Sequence, residues 1–70
     1  MTTTYGVIYE QAKDGSWSVR AADLPVYAVG DSREEAEQEV RSAIALYLDE
    51  LARAGQPPPD SRSVVGTVTV

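Results

Sequence analysis

The fourteen residues from Asp23 to Ala36, DLPVYAVGDSREEA, constrain this chain more than any other stretch, because they require a turn, a strand and a helix start in immediate succession. Leu24-Pro25 halts the preceding segment, since proline locks φ and drives the residue before it into extended geometry. Val26 to Val29 is short, β-branched and aromatic, the composition of a strand. It closes on Gly30, expected here as a hinge with backbone angles closed to other residues. Ser32 then caps a helix. Its hydroxyl is placed to accept from the Glu35 amide while the Glu35 carboxylate reaches back to the Ser32 amide, and Glu34 adds negative charge where a helix N-terminus favours it.

The rest of the chain supplies partners for that junction. Thr4 to Glu10 reads as a first strand, with Tyr5, Val7 and Tyr9 on one face and Gly6 and Ile8 on the other, and apolar weight on both faces predicts a central position. Lys13-Asp14-Gly15 is a hairpin turn, Asp-Gly supplying the backbone angles of tight β-turns. Trp17, Val19 and Ala21 alternate with Ser16, Ser18 and Arg20, so a second strand with one buried face pairs antiparallel with the first. From Arg33 to about Ala54 the apolar residues Ala36, Val40, Ala43, Ile44, Tyr47, Leu48 and Leu51 form one stripe of one helix. Glu37 with Arg41 and Asp49 with Arg53 are i,i+4 pairs in the better orientation. Gly55 and Pro57-Pro58-Pro59 end the helix.

Ser63 to Val70, with Val64, Gly66, Val68 and Val70 alternating against Ser63, Val65, Thr67 and Thr69, reads as a last strand. The expected fold is therefore α+β, in the order β-β-β-α-β. If the last strand runs parallel beside the first, one mixed four-stranded sheet of order 3-2-1-4 results, with the long helix on one face. Residues 1–70 are expected to form one domain.

Composition narrows what such a domain does. With no cysteine and no histidine, disulfides, thiolate chemistry, histidine general-base catalysis and the common zinc sites are excluded. Eleven acidic against six basic residues give a net charge of -5, which repels phosphate backbones and favours a basic protein partner over nucleic acid. No signal-like segment or apolar run of membrane-spanning length is present, so a cytoplasmic protein is expected. A 70-residue chain has a thin core, and domains of this size commonly gain stability by assembling. A homodimer or tetramer is the expectation, helped by the uncharged last strand or the third strand acting as a template for a second chain. Candidate interface residues are Tyr5, Tyr9, Trp17 and Tyr27, because Tyr and Trp combine contact area with a polar handle, together with Val65, Thr67 and Thr69 of the last strand. For any single aromatic, packing beneath the helix is the weightier reading, and periodicity does not say which face the helix covers.

YGVIYE, then DGSW, then DLPVYAVGDSREEA, then a helix rich in Ala and Leu ended by Gly55 and prolines, together resemble the HicB-type antitoxins over nearly the whole chain. Those proteins show an aspartate-leucine-proline-glycine-cysteine turn, followed by Gly-Asp-Thr or Gly-Asp-Ser and Glu-Ala at the helix start. Asp23, Leu24, Pro25, Gly30, Asp31, Ser32, Glu35 and Ala36 stand at the matching places, whereas Val26 and Tyr27 replace the usual glycine and cysteine. The resemblance implies a partial ribonuclease H fold. It also implies a protein that neutralises a small basic ribonuclease toxin of HicA type by blocking its catalytic histidine. Many such proteins continue into a C-terminal DNA-binding domain; here none is expected, because the sequence stops at Val70.

Other readings are weaker. Ribonuclease H enzymes hold two magnesium ions on carboxylates, and Asp14, Asp23 and Asp31 are the set one would propose for a degenerate nuclease of that type. Each has a local explanation instead: a hairpin turn, the proline turn and a helix N-terminus. Glu34, Glu35, Glu37 and Glu39 read as a solvated helix start. Arg20, Arg33, Arg41, Arg53 and Arg62 are scattered and form no nucleic-acid stripe. The chain is expected to be non-enzymatic, without metal or cofactor. The alternative to a toxin-binding role is a homo-oligomeric domain that binds some other protein or a small ligand.

Overall fold

A computed structural model describes residues 4–63 and 66–70. Three strands, β1 (Val7–Gln11), β2 (Trp17–Ala21) and β3 (Tyr27–Gly30), precede one helix, α1 (Arg33–Arg53). The strands form an antiparallel sheet in the order β1-β2-β3, with Tyr9 opposite Val19 and Val19 opposite Ala28. The helix lies over β3 and β2 rather than over β1. Beneath it Val19, Ala36 and Val40 are buried, ringed by half-buried Val7, Tyr9, Trp17, Val26, Ala28 and Ile44.

The turns follow from their residues. Gly15 takes a φ of +91° and its amide donates to the Ala12 carbonyl at 3.0 Å, while the Ala12 amide donates to the Ser16 carbonyl at 2.8 Å. These bonds close a three-residue hairpin loop over Lys13-Asp14-Gly15. At the other end of the molecule Gly55, at φ +73°, ends α1 in a Schellman arrangement. Its amide donates to the Ala52 carbonyl at 3.1 Å and that of Gln56 to the Leu51 carbonyl at 2.9 Å. Both i,i+4 ion pairs form, Glu37 with Arg41 at 3.9 Å and Asp49 with Arg53 at 3.1 Å. Being exposed, each contributes at most a few tenths of a kcal/mol.

The structure corrects the expected sheet. Among the described residues there is no fourth strand: Gly66–Val70 carries no regular structure and is exposed, and Val64 and Val65 lie outside the described residues. The sheet is three-stranded and wholly antiparallel, and β1 is an edge, with β2 central. The physical reason lies in the position of the helix. A strand beside β1 would have no helix above it, so its valines would gain no apolar cover.

Gly30 is corrected as well. Its φ is not positive, and among the described residues only Gly15 and Gly55 have positive φ. What demands glycine at position 30 is close approach: a Cβ there would sit 2.6 Å from the Ala36 amide nitrogen and 3.1 Å from the Ala36 Cα. The helix start rests directly on the end of β3. Ser32 caps it as expected, its hydroxyl accepting from the Glu35 amide at 3.1 Å. The reciprocal bond from the Glu35 carboxylate is not among the hydrogen bonds of the described residues.

Because the obstructing atoms at Gly30 belong to helix backbone, Gly30→Ala should destabilise the domain by about 1–3 kcal/mol, the usual cost of overpacking. Thermal melting followed by circular dichroism checks this; an unchanged melting temperature would show that the junction is looser than described.

Candidate interaction surfaces

Strand alternation divides the candidate residues between two faces. On β1 and β2, Val7, Tyr9, Trp17, Val19 and Ala21 face the helix, while Ile8, Glu10, Ser18 and Arg20 face away. On β3, Ala28 and Gly30 face the helix and Tyr27 and Val29 face away. The structure therefore places Tyr9 and Trp17 against the helix and Tyr27 on the open face. Val65 lies outside the described residues, and Thr67 and Thr69 sit in the exposed terminal stretch.

Tyr9 is held from three sides. Its ring meets Trp17 edge-on at 6.5 Å between centroids, the Arg33 guanidinium lies 4.5 Å over its face, and its hydroxyl reaches Glu37 Oε1 at 3.5 Å. An edge-on aromatic pair and a cation over a ring are each favourable by roughly 0.5–1.5 kcal/mol. The last bond is at the limit of useful geometry. Sequence reasoning missed Arg33, because the pairing depends on which sheet face the helix covers, and that is not written in the alternation of either partner.

Since α1 covers β1 only in part, a groove of about 530 Å³ opens between them. Val7, Tyr9, Val40 and Ile44 give it apolar walls, with Tyr5, Glu37 and Arg41 among its other lining residues. Tyr5 donates its hydroxyl proton to the Pro59 carbonyl at 2.8 Å, tying the segment after the helix to the start of β1.

Asp23 anchors that segment further along. The amides of Arg62 and Ser63 both donate to its Oδ2 at 3.1 Å, and the Ser63 hydroxyl donates to Oδ1 at 2.6 Å. The Ser63 hydroxyl, then the Ser63 amide, hold the Asp23 carboxyl below its ordinary value against a smaller opposing effect of desolvation, with the Arg62 amide and charge adding to the lowering. Asp14 is lowered in the same way by the hydroxyl and amide of Ser16, at 2.7 and 2.9 Å. These carboxylates are thus engaged as acceptors in different loops, and Asp31 is exposed before the cap. Among the described residues no three carboxylates gather where they could hold a metal ion, and no helix is long and apolar enough to cross a membrane. The sequence explained Asp23 by its turn; its partners lie about 40 residues away, and no local signal reveals them.

The family model that matches, over residues 5–69, is described as the HicB-like antitoxin of bacterial toxin-antitoxin systems. Neither the curated proteins nor the solved structures contain a match to this chain.

A lowered carboxylate stabilises the state in which it is ionised. The Asp23 anchor should therefore be complete above the ordinary carboxylate value of 3.8 and released as pH falls through the lower folded value. Asp23→Asn should raise the exchange rate of the Ser63 amide at neutral pH while leaving β2 protected. Amide exchange followed by NMR reads both, and a Ser63 amide equally protected in the variant would refute the anchor.

Proposed function

The chain belongs to the HicB-like antitoxins of bacterial toxin-antitoxin systems, and from that premise we propose that it binds and blocks a small basic ribonuclease toxin of HicA type, in the cytoplasm and without catalysis of its own. The observation that carries this reading is the extent of the family match, residues 5–69 of 70. Charge supports it. The net charge of -5 is shown to solvent in part by the exposed acids of the first helical turns, Glu34, Glu35, Glu37 and Glu39. A basic partner is drawn to such a surface, with faster encounter and rejection of acidic competitors. A nucleic acid is repelled by it.

The groove between β1 and α1, whose charged lining residues are Glu37 and Arg41, is the proposed toxin-facing side, because its apolar walls adjoin the acidic first turns of the helix. Tyr5 and Tyr9 are the aromatic contacts proposed there.

If a short basic reading frame adjoins the gene, its co-expression with this chain should bring both products down on a single affinity tag and relieve growth arrest. Replacing Glu37 and Glu39 together with lysine should slow association about tenfold or more at low salt, with a smaller effect at high salt. Surface plasmon resonance at two ionic strengths measures this. A neighbour that neither co-purifies nor arrests growth would sink the antitoxin reading.

A further inference from the structure

We propose that β3 is a self-association edge, through which two copies of this chain join their sheets around a two-fold axis. The proposal does not depend on the toxin. It starts from the phase of the hydrogen bonds. The Ala21 amide donates to the Val26 carbonyl at 2.9 Å, and Val19 faces Ala28. Residues 26, 28 and 30 therefore turn their backbone groups toward β2, and in an antiparallel ladder the alternate residues, Tyr27 and Val29, turn theirs outward. Among the described residues no strand receives them.

The two edges of the sheet are not alike. At the β1 end, the segment near Ser63 passes beside Gly6, tied down through Tyr5 and Asp23, and β1 itself carries Glu10. Strand β3 carries no charge and has none of the guards that keep edges apart, such as lysine or an internal proline. Its outward residues are exposed: Tyr27 at 77% and Val29 at 64%, with Leu46 of the overlying helix at 61%. Beside the strand, Pro25, Val26 and Tyr27 meet Ala43, Leu46 and Tyr47 of α1 along a shallow recess whose one charged lining residue is Glu50.

Charge selects the occupant. A basic toxin is drawn to the acidic rim elsewhere, whereas two copies each carrying -5 repel one another except where the surface is uncharged, and this strip is such a place. Symmetry agrees with that choice. An axis at Ala28 sets Tyr27 opposite Val29 of the partner subunit and Val29 opposite the partner's Tyr27, two hydrogen-bonded pairs from one short strand. Because an antiparallel edge pairing keeps both helices on the same side, the two copies of α1 become neighbours and cover each other's Leu46. The product is one continuous sheet backed by two helices, an isologous closed dimer.

Sedimentation of the full chain tests this. The wild type should sediment as a dimer at micromolar concentration, and Val29→Lys and Tyr27→Lys should each weaken self-association about tenfold or more, since each puts a lysine on the paired edge with its symmetry mate diagonally across the axis. Both side chains are exposed, so the circular dichroism spectrum should not change, and Glu10→Lys on β1 should remain dimeric. The chain has no native cysteine, so Ala28→Cys should form a disulfide-linked dimer on mild oxidation, the non-hydrogen-bonded pair placing its Cα atoms about 4.5 Å apart. A monomeric wild type, or a dimer indifferent to both lysines, would overturn the proposal. So would a monomer that loses the co-expressed toxin on Val29→Lys, which would assign this edge to the toxin instead.

Discussion

The contact on which everything else rests is the approach of the first helical turn to the backbone of Gly30. With no Cβ in the way, the amide of Ala36 comes within van der Waals distance of the strand end. The helix axis is thereby held against β3 and β2. Ala36 and Val40 are then driven onto Val19, and these three residues form the buried centre of the domain. A bulkier residue at either position 30 or position 36 would lift the helix and expose that centre. The small residues at this junction matter for what they leave empty.

Placing the helix on one side of the sheet has consequences at both edges. The strands span four or five residues, about 17 Å at the longest at the usual rise per residue, whereas the 21 residues of α1 extend about 32 Å. The helix therefore outruns the strands, with Tyr47, Leu48 and Leu51 only half-buried, and Leu46, which lies off the apolar stripe, stands in solvent. At the opposite edge β1 is only partly covered, which opens the groove lined by Val7, Tyr9 and Ile44. With so thin a core, a small domain leaves apolar surface at the margins of its sheet.

Much of the organisation was legible beforehand because it is local. The Asp-Gly hairpin, the proline turn, the serine cap, the amphipathic stripe and the glycine stop each depend on a few neighbouring residues, and each lies where the pattern puts it. The last strand failed for the complementary reason. Alternating valine and threonine describes a segment able to pair, but pairing also needs a neighbour with a surface to share. The helix, lying over β3 and β2, offers none above the far side of β1. The same holds for the aromatics: alternation separates Tyr9 from Ile8 and Tyr27 from Ala28, yet it cannot say which set the helix will cover.

The sequence by itself determined the order of the first three strands, their turns and the helix, the acidic surface and the family, since backbone preferences, net charge and motif order are properties of the chain read in line. Only the tertiary structure decided that glycine at position 30 serves proximity rather than torsion, that Asp23 holds Ser63 across some 40 residues, that Arg33 stacks on Tyr9, and that β2 rather than β1 is central. Each of these depends on how elements pack, and the Asp23 and Arg33 contacts join residues distant in sequence. Such contacts exist only once the helix has been laid on a particular side of the sheet, and the choice of side rests on the summed packing of many residues rather than on any local run.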